Sequence, residues 1–558
     1  MAGLTAAHEL AERGFHVTVY EERKAFGGKA RSMPVPQSGM NKLKDLPAEH
    51  GFRFFPGFYR HLPDTMARIP FGTGTVFDNL TPTHRMLIAQ AGGRHKLVAP
   101  TELPSSLNDL EALLKFTWEF GTGLGIKPSE LTFFFGRLLT LLCSCDERRY
   151  QQWDCVSWWD YTDAANKSPA FQKFLATGLT RTLVAAQAEQ ISARTGGLIL
   201  CQLLLDMVTP GEQVDRVLNG PTSEVWIDPW IAQLRKLGVT FRDDCAIAGI
   251  DCDGRRVTAV TVQGAGSPER IFADHYIAAL PVERLRNLVS AGLRAGEPRL
   301  VALPRLVVRW MNGAMFYLKQ DVPVVPGHII FIDSPWALTA ISQKQFWPDV
   351  DFTQLGDGQV NGILSVDISD WNEPGPLTGK VAMACSRSEI HDEVLYQIRD
   401  AIKDKSLLQP NIASWFLDPD IQFPNPIDAT NLEPLLINTA GSWADRPCAV
   451  TRIPNFFLAA DFVRTYTDLA TMEGANEAAR RAVNGILDET GSQEERCQLW
   501  PLREPAVLAP FRALDRLQWR LRLPVRLPVR VGRSGGLAPA DPIARGILQT
   551  ARFAADRF

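Results

Sequence analysis

Met1-Ala2-Gly3-Leu4-Thr5-Ala6-Ala7-His8-Glu9-Leu10, with Gly14, His16-Val17-Thr18-Val19-Tyr20, Glu21-Glu22 and Gly27-Gly28-Lys29-Ala30-Arg31 behind it, is the stretch that decides the fold. Leu4, Ala7, Leu10 and Ala11 recur at helical spacing, and Gly14 stands where a C-terminal cap belongs. Small residues on that face allow close packing against a sheet. The period then changes to two, with Phe15, Val17 and Val19 on one side, and the strand ends at Glu21. A carboxylate there can accept hydrogen bonds from the hydroxyls of an adenosine ribose. The pattern is that of the helix, second strand and ribose-binding acid of a dinucleotide-binding βαβ unit, without its first strand and first two glycines. Gly3, beside Ala2, then reads as the third glycine of the phosphate-binding turn, and the recorded start is expected to lie inside a longer gene product. An ordinary helix-strand pair is the alternative, and the Gly27-Gly28 pair weighs against it.

The run Glu21-Glu22-Arg23-Lys24-Ala25-Phe26-Gly27-Gly28-Lys29 resembles the E-x-R-x-x-x-G-G-R segment of the FAD-dependent phytoene desaturase and amine oxidase superfamily. Adjacent glycines let backbone approach a cofactor, and a cation just beyond can face a pyrophosphate. Lys29 keeps the charge of the usual Arg without its bidentate fork, and Arg31 is expected to compensate. A second match, Asn455-Phe456-Phe457-Leu458-Ala459-Ala460-Asp461 followed by Thr471-Met472-Glu473-Gly474-Ala475, is similar to the family's closing motif. The N-terminus of such a helix suits the electron-rich edge of a reduced flavin. The two matches lie most of the chain apart and must meet in space, so together they are far more specific than either alone.

The resemblance implies an FAD cofactor and roles for individual residues. Ala2, Gly3, Glu21, Glu22, Arg23, Gly27, Gly28, Lys29 and Arg31 would surround its nucleotide half. Asp461 would meet ribityl or pyrophosphate groups, Met472 the flavin ring, and the backbone of Ile247 the adenine. Glu49-His50-Gly51-Phe52-Arg53-Phe54-Phe55-Pro56-Gly57-Phe58-Tyr59 resembles the desaturase G-x-x-x-F-x-G-x-Y segment, which puts Gly51 and Phe52 beside the isoalloxazine. Phe54, Phe55, Phe58 and Tyr59 offer a wall for an apolar substrate or are simply core. His50 reads as structural. No catalytic residue is named by any of these matches.

The expected fold class is α/β: a Rossmann-like FAD-binding domain, its first strand missing, with an interleaved α+β substrate domain. Residues 1–72, 220–299 and 440–490 are assigned to the first and residues 73–219 and 300–439 to the second. Period-two runs around Leu237–Phe241, Ala246–Ile250, Val257–Val262 and Ala273–Pro281 read as strands of the FAD-binding part. Residues 73–219 read as largely helical. Residues 300–439 carry strands at Leu306–Trp310 and Gly362–Ser369 and a helix over Ile390–Ile402.

The 558 residues are 45% hydrophobic and 22% charged, enough for a substantial core in at least two domains. A net charge of -3 does not suggest a nucleic-acid binder. The nine scattered cysteines lack a second metal-ligand cluster to match Cys143-Ser144-Cys145, so no metal site is expected and they read as reduced cytosolic thiols. No signal peptide or 18-residue apolar run is seen, and the apolar stretches Leu131–Cys145 and Gly197–Val208 read as core helices or pocket walls. A cytoplasmic protein is expected, with membrane association left open.

From Leu499 onward the composition shifts. Eleven arginines against four acidic residues give this tail +7, leaving -10 for the remainder of a chain whose total is -3. Within residues 491–558, set apart as a basic tail, Phe511–Leu523 is basic and amphipathic. It suits an anionic membrane surface or a packed, solvated helix, with Pro524 and Pro528 ending it. The expected partner is a lipophilic small-molecule substrate, with peripheral membrane contact through the tail and no nucleic acid. The resemblance favours hydride transfer between a substrate carbon and flavin N5, as in carotenoid desaturases and hydroxysqualene dehydroxylases. An amine oxidase, or a lipid-binding protein that has lost FAD, remains open beside it.

Overall fold

The computed structural model describes residues 1–93, 96–100, 121–178, 186–207, 215–407, 409–425, 428–527, 529–531 and 537–539. Val208, Pro528, most of the tail beyond it and parts of the 73–219 segment therefore lie outside the described residues.

Along the chain, the elements that position the site begin with α1 (Ala2–Ala11) and β1 (Thr18–Tyr20). Next come β2 (Arg85–Ala89), β3 (Lys96–Pro100), α2 (Pro128–Cys143) and α3 (Ala193–Asp206). The strands β4 (Thr240–Arg242), β5 (Ala246–Cys252), β6 (Val257–Gln263), β7 (Glu269–Ile271) and β8 (Tyr276–Ala278) follow. Then come β9 (Val307–Arg309), β10 (Asn312–Leu318), β11 (His328–Phe331), β12 (Thr339–Ser342) and β13 (Gly362–Ile368). The last are α4 (Arg387–Ile402), β14 (Ile412–Leu417), β15 (Leu435–Ile437), β16 (Phe456–Leu458), α5 (Met472–Glu489) and α6 (Ala509–Arg520).

The nucleotide-binding half is built on two parallel strand pairs. β1 pairs with β4, Thr18 opposite Thr240, and β8 pairs with β16, Tyr276 opposite Phe456. Among the described residues no strand joins the two pairs. α1 ends as its sequence predicts: Gly14 takes the left-handed conformation at φ 78°, which glycine adopts without steric cost. Ala2, Ala6 and Leu10 of α1 share one buried cluster with Ala475, Ala478, Ala479 and Ala482 of α5, so two motifs from opposite ends of the chain meet through small side chains. β5, β6 and β7 form the antiparallel meander beside them.

The other half is a seven-stranded sheet in the order β14-β10-β13-β12-β11-β2-β3. Only β11 and β2 run parallel; the remaining pairs are antiparallel. α4 covers one face, burying Ile390, Val394 and Ile398 with Leu364 and Val366. It begins at Arg387, three residues before the expected Ile390, because Ser386 and Glu389 form a reciprocal capping box ahead of the apolar run. The helical expectation for residues 73–219 holds for α2 and α3 and fails at β2 and β3. Those strands exist because Leu87 and Ile88 find register with Ile329 and Ile330 some 240 residues away, a pairing that local periodicity does not reveal. The expected strand Leu306–Trp310 shortens to β9, which pairs with β15. The apolar stretches around α2 and α3 pack into a single cluster with Trp153, Trp158, Tyr161 and Phe171. No described helix is long and apolar enough to cross a membrane.

Candidate active site

One cavity of about 1240 Å³ gathers the motifs. Its wall includes Ala2 and Gly3 at the start of α1, Glu21, Glu22 and Arg23 after β1, and Gly27, Gly28 and Lys29 in the following turn. Ile247, Asp461 and Met472 reach it from β5, from the loop after β16 and from the first turn of α5. Gly51 and Phe52 line it as well, beside His50, Arg53, Phe54 and Phe58. Of the residues singled out from the sequence for the cofactor, Arg31 alone is off the wall, and of the four aromatics expected to face the substrate, Phe55 is off it too, fully buried in the core with Trp226. The Arg31 guanidinium is buried and donates to the Gly28 carbonyl at 2.6 Å, pinning the glycine turn from behind.

That turn is shaped for close approach. Gly27 and Gly28 hold φ values of 110° and 56°, and a Cβ on Gly27 would stand 3.3 Å from Ile227 and Arg31. Any other residue there would be strained. Glu21 stands at the end of β1 with Oε1 accepting from the Arg23 backbone N–H at 3.1 Å. Burial raises its carboxyl affinity for a proton, and Glu22 adds to this, while the Arg23 N–H opposes it. A partner hydroxyl would complete its hydrogen bonding.

The cations expected near a pyrophosphate are held by carboxylates. Lys29 Nζ lies 2.7 Å from Glu283 Oε1 and also meets the Pro434 carbonyl. Arg23 Nη2 lies 3.0 Å from Asp420 Oδ1 and 2.5 Å from Glu433 Oε1. These pairs tie the turn to the segment leading into β15. The backbone therefore carries much of the anion-binding capacity, through the first turns of α1 and α5. In α5, Thr471 Oγ1 caps the Gly474 N–H at 3.1 Å, leaving the first turn open beside Met472. Glu473 points away: burial would raise its pKa, but His61 Nδ1 at 2.7 Å and the N–H groups of Arg60, His61 and Leu62, each at 2.8 Å, outweigh it and hold the carboxyl low. An acid at the ribose position, a left-handed glycine pair, two open helix N-termini and Asp461 on one wall together fit a bound dinucleotide.

The remaining wall is different in character. Ile191, Ile199, Leu203, Met311, Leu435 and Ile437 supply apolar surface from α3 and the region of β9, β10 and β15. Two carboxyl groups were not foreseen, Asp367 on this wall and Asp418 behind His50. His50 Nδ1 lies 2.6 Å from Asp418 Oδ2, which also accepts from Asn312 Nδ2 at 2.7 Å; burial works against the Asp418 charge, but these partners hold its pKa below the usual value. Asp367, in β13, reaches the cavity wall with no hydrogen-bond partner for Oδ1. Burial pushes it up to about 7, Glu49 and Asp418 reinforce the shift, and Arg53 and the Phe52 N–H oppose it. The run Asp367-Ile368-Ser369-Asp370-Trp371 is a visible polar-aromatic signal, but β13 is buried on both faces and no alternation shows which way Asp367 points.

Comparison with known proteins agrees with this geometry. The family model for flavin-containing amine oxidoreductases matches residues 1–487. The chain is 22% identical over 529 residues to a probable zeta-carotene desaturase of Synechococcus elongatus, covering 88% of this chain and 97% of that one. A carotenoid phi-ring synthase of Chlorobaculum tepidum is 23% identical over 314 residues, 54% of this chain but 44% of that protein, so this chain spans less than half of its length. Among solved structures, cyclohexylamine oxidase from Brevibacterium oxydans superposes with a TM-score of 0.56 at 14% identity, covering 88% of this chain and 97% of that one. A putrescine oxidase variant gives a TM-score of 0.57 at 11% identity, with coverage of 88% and 97%. With the model spanning nearly all residues before the tail, and the dinucleotide-shaped wall between α1 and α5, this chain belongs to the flavin-containing amine oxidoreductase family and is an FAD-dependent oxidoreductase.

Proposed function

We propose that the protein transfers hydride between FAD and a carbon of a lipophilic, isoprenoid or carotenoid-like substrate. The observation that carries this reading is the continuity of the cavity: the residues that fit the dinucleotide share one wall with Phe52, Phe54, Ile191, Ile199, Leu203 and Ile437. Flavin supplies the hydride acceptor or donor when bound. The protein's own groups orient the substrate and exclude water, which is where most of the rate acceleration for such a transfer arises. Phe52 and Phe54 pack against His328 at centroid distances of 5.0 and 5.2 Å, so their rings are held rather than loose. Asp367, pushed up to about 7 by burial, is shared between its neutral and charged forms near neutral pH, so the wall carries a hydrogen-bonding group rather than a fixed charge. The similarity to zeta-carotene desaturases over most of both chains supports a polyene substrate.

An amine substrate is the second reading, favoured by the oxidase-like fold. Among the described residues Lys29 is the one lysine on the cavity wall, and it is engaged by Glu283. The deciding experiment is anaerobic mixing of the FAD-loaded protein with acyclic polyene hydrocarbons in micelles and, separately, with primary amines. Bleaching of the flavin with a desaturated product supports the proposal. Bleaching by amines, with peroxide released on readmission of air and no response to polyenes, overturns it.

A further inference from the structure

α6 is amphipathic, but it points the opposite way from a core helix. Its inward face is fixed by Phe511 and by Asp515, whose Oδ1 lies 2.9 Å from Arg148 Nε and whose Oδ2 accepts from the Cys145 N–H at 2.8 Å. Arg148 also stacks over Trp519 at 5.0 Å, so the rotation of α6 about its axis is set by a buried ion pair and a ring contact. Leu514, Leu517 and Leu521 therefore face outward, 38, 54 and 61% exposed. Their spacing of three and four residues puts them on one ridge. Leu523 extends the apolar surface beyond the helix end, half exposed.

The flanks of this ridge are cationic. Arg520 and Arg522 are exposed and make no ion pair with a described carboxylate, while Arg516 reaches Glu147 at 3.2 Å. An exposed leucine ridge bordered by arginines that no described carboxylate pairs is costly in water and complementary to a surface that is apolar beneath and anionic above. The tail that contains α6 carries +7, against -10 for the rest of the chain, so the cationic character is concentrated on this side of the sequence. α6 packs on α2, which packs on α3, and Ile199 and Leu203 of α3 line the cavity.

We propose that the outward face of α6 seats the protein on an anionic lipid surface, with Leu514, Leu517 and Leu521 entering the acyl boundary and Arg520 and Arg522 meeting lipid phosphates. The inference holds whichever substrate the cavity takes. It is tested by flotation of the FAD-loaded full chain with vesicles of phosphatidylcholine alone and of phosphatidylcholine mixed with phosphatidylglycerol. The protein is expected to float with the mixed vesicles, and roughly tenfold or more less with the neutral ones. Leu517→Ser with Leu521→Ser should weaken binding by a similar factor. Arg520→Gln and Arg522→Gln should each weaken it by roughly fivefold and reduce its salt sensitivity. All four positions are exposed, so circular dichroism and flavin content should match the parent and confirm folding. Equal flotation with both vesicles, absence of flotation, or loss through the arginines with indifference to the leucines overturns the proposal. So does a concentration-dependent dimer that the leucine substitutions abolish without any vesicle binding, which assigns the ridge to a second copy of the chain.

Discussion

A Cβ placed on Gly51 would stand 2.7 Å from Oδ1 of Asp367, so these two residues compete for one volume on the cavity wall. Gly51→Ala is therefore expected to swing the Asp367 carboxyl aside, away from the Phe52 N–H that it accepts from. The cost is about 1–3 kcal/mol of stability, as for other overpacked sites, with reduced flavin retention because the same loop lines the cavity. Thermal unfolding and flavin absorbance per mole of protein measure the two effects. Combining Gly51→Ala with Asp367→Ser should recover part of the loss, since the hydroxymethyl group leaves room. Strict additivity of the two substitutions would show that the residues do not share that space.

Asp367 also sets a pH dependence whose sign follows from its pKa. In the unfolded chain the carboxyl titrates near 3.9, whereas burial raises it to about 7 in the folded protein. Below the lower value both states hold the proton and the residue contributes no difference. Between the two values the folded state binds the extra proton, so stability falls as pH rises, and above 7 the penalty is constant. Asp367→Asn removes the titration. Its stability relative to the parent should be flat below about pH 4 and climb toward pH 7 by roughly 4 kcal/mol, about 1.4 kcal/mol for each unit between the two pKa values, while the amide's own need for partners shifts the whole curve without changing its slope. Denaturant midpoints for both proteins across that range give the curve. A difference that does not vary with pH would assign Asp367 an ordinary pKa.

How much of this was legible beforehand depends on the range of the interaction. Gly14, Glu21 and the Gly27-Gly28 pair act within a few residues of their own position, and their spacing suffices to place the helix, strand and turn. The joining of α1 and α5 was readable only through family resemblance, because nothing local in Ala475 or Ala479 points to Ala2 and Ala6. Asp367 and Asp418 escaped for the same physical reason as β2 and β3. Their partners are more than a hundred residues away, and in β13, buried on both faces, no alternation gives Asp367 a direction. The charge of Lys29 was plain in the sequence, but its engagement by Glu283 and Pro434 is a property of packing.

Glu21 offers the most direct test of the nucleotide wall. Its carboxylate already accepts from the Arg23 N–H and has capacity for hydroxyl donors. Glu21→Gln keeps the size and removes the charge, so FAD affinity should fall roughly 10- to 100-fold, the value of charge-assisted hydrogen bonds to a ribose. Quenching of free flavin fluorescence on titration with apoprotein measures it. Stability of the apoprotein should change little, since among the described residues the carboxyl makes no ion pair and its hydrogen bond is to the Arg23 N–H. An unchanged affinity would place the adenosine ribose elsewhere.

Asp468 is the structural hinge between the closing motif and the apolar wall. Oδ1 pairs with Arg446 and Oδ2 with Arg194, both arginines being buried, and Thr195 Oγ1 donates to Oδ2 at 2.7 Å. Arg194 is shared with Asp154 at 3.1 Å and lies over the rings of Tyr150 and Trp443 at 4.5 and 4.6 Å. The Asp468 carbonyl accepts from Asn438, itself on the cavity wall, at 3.2 Å. Four residues later α5 begins, so this network fixes where the helix N-terminus meets the flavin site. Asp468→Ala would leave Arg194 with Asp154 alone and the buried Arg446 guanidinium with only the carbonyls of Asp461, Phe462 and Val463, at a cost of about 3–5 kcal/mol. Asp468→Asn should cost less, because it keeps an acceptor and tolerates the left-handed backbone at φ 46°. FAD affinity should fall in the same order, Ala below Asn, as the 469–472 segment loses its anchor. Denaturant unfolding and flavin titration of both variants measure these effects, and an alanine variant within about 1 kcal/mol of the parent would mean that the arginines find other partners and that Asp468 does not hold the helix in place.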